Sequence, residues 1–122
     1  MATAHFSTQE LVCHCGCGGL PPEGFQSRLE ELRIQFGHPM VLSSAYRCPE
    51  HNAKVSSTGG TGPHTKGAVD VLCYGPRAHE LVSDALMLGW TGIGVSQRGP
   101  RNARFVHLDD TGGPMRPCIW SY

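Results

Sequence analysis

An α+β domain, with two helices packed on a small and largely antiparallel sheet, is the fold that this 122-residue sequence predicts. Apolar residues recur at helical spacing in two separate stretches, and short strand-like runs lie between and after them. Glycine and proline, 16 and 9 in number, interrupt the chain often enough to keep those strands short. The length suits a single domain over residues 1–122, which can bury roughly two-thirds of its unfolded surface and so form a core without staples.

The elements follow in order. Residues 1–20 show no periodicity and read as an irregular, cysteine-rich segment ending at Pro21-Pro22. Phe25, Leu29, Leu32 and Phe36, offset by four, three and four, form one stripe of an amphipathic helix that Gly37 and Pro39 stop. Met40 to Tyr46 reads as a strand. Arg47 to His64 reads as a long connection whose Ser/Thr/Gly-rich end runs from Ser56 to Pro63, and connections of that length in compact domains serve function or are disordered. Ala68 to Cys73 is an apolar run broken only by Asp70. Pro76 opens a second helix with an apolar face of Leu81, Val82, Ala85 and Leu86, capped by Gly89. Short strands are expected around Gly92 to Val95, Arg104 to Leu108 and Pro117 to Trp120, with a turn at Asp110 to Gly113 between the last two.

Composition narrows the function. Ten Lys and Arg balance ten Asp and Glu, so there is no basic field for nucleic acid or for an anionic membrane, and no stretch approaches membrane-spanning length. Met1 to Gln9 lacks the basic start and apolar run of a leader, so the product is expected in the cytosol when made. A monomer is expected. Six cysteines fall into a tight group, Cys13, Cys15 and Cys17, and three dispersed positions, Cys48, Cys73 and Cys118. The C-x-C-x-C spacing is not the C-x2-C of structural zinc knuckles, which leaves a second metal, a disulfide and buried thiols all open.

The seven histidines direct attention to metal chemistry. Asp70 places a carboxylate inside an apolar run, an expensive burial unless it is paired or bound to a cation. His64 lies just upstream, and His107 sits in the strand-like run Phe105-Val106-His107-Leu108. Two histidines and one carboxylate can hold one zinc ion with its fourth position open, the arrangement of a catalytic site. The same residues taken singly also suit core packing, turns and caps. His5, His14, His38, His51 and His79 read as surface residues, with His51 close enough to Arg47 to line a cleft. Trp120 reads either as a cleft wall or as core.

The stretch Gly62-Pro63-His64-Thr65-Lys66-Gly67-Ala68-Val69-Asp70 resembles the S-x-H-x-x-G-x-A-x-D signature of the D-Ala-D-Ala carboxypeptidase family of zinc peptidases. Ser43-Ser44-Ala45-Tyr46-Arg47 with Asn52, then Gly92-Ile93-Gly94-Val95, then Phe105-Val106-His107-Leu108-Asp109 resemble three further family motifs, in the same order, over roughly residues 6–122. The resemblance implies a hedgehog-type fold and a metallopeptidase acting on peptidoglycan stem peptides, as a carboxypeptidase or an endolysin-like endopeptidase. It implies His64, Asp70 and His107 as ligands of one zinc ion, and Arg47 as the cation that binds substrate or a developing oxyanion. With no leader, it suits a phage-encoded lysis or virion protein that reaches the cell wall by lysis.

Two departures stand out. The family places its Asp seven residues after the His, and here the gap is six, so the chain before Val69 has to absorb a change that would otherwise turn Asp70 to the wrong face. The family's acidic base lies three residues before the last His, where this chain has Arg104. Asp109, on the same strand face as His107, is the candidate base in its place. The alternative for Asp109 is a carboxylate that orients His107. Asp110 and Glu50 are weaker candidates. A non-catalytic wall-binding or phage structural domain of the same fold is the alternative for the whole chain.

Overall fold

The computed structural model describes residues 3–57 and 59–122. Met1 and Ala2, at the start read for a leader, and Thr58, in the Ser/Thr/Gly stretch, lie outside the described residues. Among the described residues, four helices, α1 (Thr8–Leu11), α2 (Glu23–Phe36), α3 (Pro49–Val55) and α4 (Gly75–Met87), accompany five strands, β1 (Val41–Ser44), β2 (Ala68–Leu72), β3 (Gly92–Ser96), β4 (Phe105–Asp109) and β5 (Cys118–Ser121). The strands form one sheet in the order β1-β2-β4-β3-β5.

Helix α2 carries its stripe as the spacing predicts, with Phe25, Leu29, Leu32 and Phe36 all buried. Burying each such side chain stabilises by roughly 1.5–3 kcal/mol. Gly24 in the first turn costs about 1 kcal/mol relative to alanine, so packing settles the helix. Gly37, in the left-handed region, ends it. The stripe of α4 is rotated from the expected one: Ala78, Leu81 and Ala85 are buried and Val82 packs at the edge, whereas Leu86 is exposed. A face three or four residues wide fits the close approach of small alanines to the sheet.

Strand alternation divides the sheet into two faces. Val69 and Val71 of β2, Ile93 of β3, and Val106 and Leu108 of β4 belong to the core with α2 and α4. Asp70, Gly92, Gly94, His107 and Asp109 lie on the other face. The polar positions that interrupt the apolar runs are thus the ones that face away from the helices.

The sheet is largely antiparallel as expected, with one parallel pairing, that of β5 with β3. Two expectations are corrected. The N-terminal segment is not irregular throughout: Ser7 and Glu10 form a reciprocal capping box on α1, and Phe6 and Leu11 are core residues. The Ser-Thr-Gln-Glu pattern is the local signal for this cap. The Arg47–His64 connection contains α3, with Pro49 in its first turn and Cys48 as its cap, followed by single 3-10 turns at Gly59–Thr61 and Pro63–Thr65. Helix α3 buries only Asn52, so it has no apolar stripe by which periodicity could reveal it.

Candidate metal centre

The centre is built on one row of residues across the sheet. Ser44 of β1 pairs with Asp70 of β2, Asp70 with His107 of β4, His107 with Gly94 of β3, and Gly94 with Trp120 of β5. Ala68, Asp109, Gly92 and Cys118 make the next row on the same face. The two glycines of β3 are space for their neighbours. A Cβ on Gly94 would lie 2.6 Å from the Trp120 indole nitrogen, and one on Gly92 would lie 2.3 Å from the Asp109 carboxylate. Trp120 therefore leans across Gly94 toward His107, with ring centroids 5.0 Å apart, while Asp109 leans across Gly92.

His64 arrives from outside the sheet, on the 3-10 turn Pro63–Thr65. Gly67, at φ +146°, makes the connection into β2, and a side chain there would meet Phe25 at 2.9 Å. Despite the shortened His-to-Asp gap, Asp70 lies on the same sheet face as His107, its partner across the ladder. The continuation of β1 holds the turn: the Arg47 N–H donates to the His64 carbonyl at 2.9 Å, and His64 Nδ1 lies 2.7 Å from the Ala45 carbonyl.

These contacts define the imidazole tautomers. With His64 Nδ1–H donating to Ala45, Nε2 carries the lone pair and faces Asp70 Oδ2 at 3.4 Å. With His107 Nε2–H donating to Asp109 Oδ2 at 2.7 Å, Nδ1 faces Asp70 Oδ1 at 3.1 Å. Two nitrogen lone pairs and a carboxylate thus converge, with ligand atoms within 4.8 Å of one another. A single zinc ion fits this donor set, with each histidine's other nitrogen anchored as metal-binding histidines require.

When His64 Nε2 and His107 Nδ1 are protonated instead of metal-bound, they donate to Asp70. Burial alone would raise the Asp70 carboxyl, but hydrogen bonds from His107 and His64 outweigh it and lower it to about 2. Burial pulls His107 down, yet Asp109 and Asp70 on its two edges leave it raised. Asp109, also subject to the raising effect of burial, is held well below the usual carboxylate range by His107 and Arg116.

The row opens onto a cleft of about 380 Å³ lined by Arg47, Val55, Pro63, His64, Asp70, Phe105, His107, Trp120 and Tyr122, among others. Arg47 is held at its rim, Nε donating to Ser44 Oγ at 3.2 Å and Nη1 to Asn52 Oδ1 at 3.1 Å. No carboxylate among the described residues pairs with it in an ion pair. His64, Asp70, His107, Arg47 and Trp120 are thus brought together. His51 lines a neighbouring depression, with His14, on the other side of Arg47.

Asp109 does not line the cleft. It is fully buried, with Oδ2 on the His107 nitrogen that faces away from Asp70, where it would orient that ring. Its oxygens also accept from Thr111 N–H, Thr111 Oγ1 and both Arg116 Nε and Nη2, the last two at 3.1 and 3.0 Å. Arg116 in turn stacks over Trp120 at 5.0 Å. The sequence reading missed Arg116, as well as Tyr122 on the cleft wall. An arginine in a turn carries no local signal, and only the return of the chain from β4 to β5 brings it back to Asp109. Asp110 pairs with Arg28 at 3.7 Å, Glu50 is exposed on α3, and Arg104 Nε donates to the Gly99 carbonyl.

No curated protein and no solved structure matches the chain. A protein-family model described as Peptidase M15 matches residues 4–109, a span that contains the His64, Asp70 and His107 cluster. The chain belongs to this family of D-Ala-D-Ala carboxypeptidase-like zinc peptidases, and its site is that of a zinc-dependent metallopeptidase.

Proposed function

We propose that the enzyme hydrolyses peptide bonds in bacterial peptidoglycan stem peptides, and that Arg47 binds a substrate carboxylate next to the scissile bond. The observation that carries this reading is a guanidinium with no carboxylate partner among the described residues, fixed by Ser44 and Asn52 at the rim of the metal cleft. Its planar fork suits a carboxylate or a developing oxyanion. Stem peptides are rich in carboxylates, and the family supplies the substrate class.

Zinc, when bound, supplies a Lewis acid for the carbonyl and lowers the pKa of its water. The chain does the positioning. Asp109 acts through His107, fixing its tautomer and ring plane, and Arg116 and Thr111 fix Asp109. Trp120 and Phe105 line the cleft. A small domain that acts as a monomer on the wall suits a phage lysis protein.

Amine release from purified peptidoglycan, with added zinc and after chelation, tests the reading. Zinc-dependent release is expected. A stem-peptide substrate whose carboxylate is replaced by a carboxamide should lose at least about tenfold in kcat/KM with the wild type and little with Arg47→Ala. Absence of release by folded protein with zinc at His64 and His107 would overturn the hydrolase reading for this substrate and favour a wall-binding domain.

A further inference from the structure

Four cysteines outside the cleft, three from one short loop and one from far along the chain, converge on one point. Cys13, Cys15 and Cys17 come from the loop after α1, and Cys48 caps α3. Their sulfurs all lie within 4.8 Å of one another, with Cys13 to Cys15 at 3.4 Å and Cys15 to Cys48 at 3.6 Å. A disulfide would need about 2.05 Å. The edge of a tetrahedron of sulfurs around zinc, at about 2.3 Å per bond, is about 3.8 Å. The observed spacings are those of ligands waiting around a centre.

The surroundings orient the sulfurs. Backbone N–H groups donate to three of them: Cys48 N–H to Cys13 at 3.3 Å, Gly19 N–H to Cys17 at 3.3 Å, and His51 N–H to Cys48 at 3.4 Å. Such N–H···S contacts are the outer interactions that orient metal-bound thiolates. The loop is shaped for wrapping. Gly16, between Cys15 and Cys17, and Gly18, just after Cys17, take φ of +87° and +80° and turn the chain tightly, and the Cys13 N–H closes the loop on the Gly19 carbonyl at 2.9 Å. Cys13 is buried while Cys15 and Cys17 are exposed, which leaves an entry path from solvent. Clustered thiolates repel one another unless a cation neutralises them, and soft sulfur selects zinc.

We propose that Cys13, Cys15, Cys17 and Cys48 form a second, structural zinc site that clips the N-terminal segment to the chain immediately after Arg47. Each thiol that ligates releases its proton, and all four positions are protein sulfurs, so the site is closed to substrate. The clip closes a loop from residue 13 to residue 48. It also fastens the start of α3, whose Asn52 holds the Arg47 guanidinium. This assignment is independent of the substrate proposed above.

The test is metal stoichiometry and the cobalt spectrum of the reduced, full-length protein. The wild type should bind two equivalents of zinc or cobalt. The cobalt form should show an intense sulfur-to-cobalt charge-transfer band, which the sulfur-free histidine site cannot produce. The double variant His64→Ala/His107→Ala should keep one equivalent and the whole of that band, and Cys15→Ser/Cys17→Ser should keep one equivalent and lose it. One equivalent in the wild type with no charge-transfer band would overturn the proposal. The wild-type spectrum decides the matter even if a variant fails to fold.

Discussion

The centre in the sheet and the cysteine cluster in the N-terminal loop are opposite solutions to gathering ligands. Asp70 and His107 are directly paired across β2 and β4, and the hydrogen-bonded ladder holds them in place with or without an ion. His64 is tethered to the same frame through Ala45 and Arg47. Cys15 and Cys17 lie on an exposed loop with two left-handed glycines and no ladder. A catalytic ion needs a site preorganised by the fold, whereas a structural ion can itself organise a loop, because its binding free energy becomes folding free energy.

The largest effect that can sharpen this contrast is removal of a sheet-side ligand. His64→Ala should lower kcat/KM by at least about 1,000-fold, because the Lewis acid is worth several kcal/mol. The unfolding midpoint of the metal-free protein should hardly change. A collapse of the fold in that variant would show that the sheet depends on its ion after all. Chelation should then separate the regions by amide exchange. Residues 13–19 should lose protection by more than about tenfold, while residues 68–72 and 105–109 keep theirs within a small factor.

Asp109→Asn comes next. Loss of an orienting carboxylate typically weakens metal affinity or activity by about 10–100-fold, so added zinc should restore most of the rate. A rate that stays low at saturating zinc would return Asp109 to the role of base. The same variant should alter acid unfolding of the metal-free protein. The folded Asp109 carboxyl is depressed, so its stabilisation is complete above the unfolded value of about 4 and is lost as pH falls through the folded value. Asp109→Asn should flatten the stability profile below about pH 4. Gly92→Ala should destabilise by about 1–3 kcal/mol through overpacking and loosen zinc by displacing Asp109, read by denaturant titration and metal competition. Ser7→Ala should cost about 1 kcal/mol and leave the zinc affinity of the cleft unchanged.

Much of this was legible in the chain itself. Phe25, Leu29, Leu32 and Phe36 specify α2 because four apolar residues at helical spacing have one way to reach a core together. Asp70 and His107 stand out because polar groups inside apolar strands turn to the face opposite the core. Helix α3 was hidden, since a polar helix of one buried residue is stabilised by its cap and by the turns around it rather than by a stripe. The parallel β3–β5 pairing was hidden as well, because strand direction depends on how the chain returns and not on the residues within the strand.

What the sequence by itself determined is the class of fold and the stripe of α2, which follow from local periodicity. His64, Asp70 and His107 were singled out as a metal-binding set by the resemblance of their motifs to the zinc peptidase family. Only the tertiary structure decided that Asp109 stands behind His107, that Arg116 returns to hold it, and that Cys48 joins Cys13, Cys15 and Cys17. Those outcomes depend on strand register, on the space left by Gly92 and Gly94, and on loop closure over more than thirty residues, quantities that exist only once the chain has met itself.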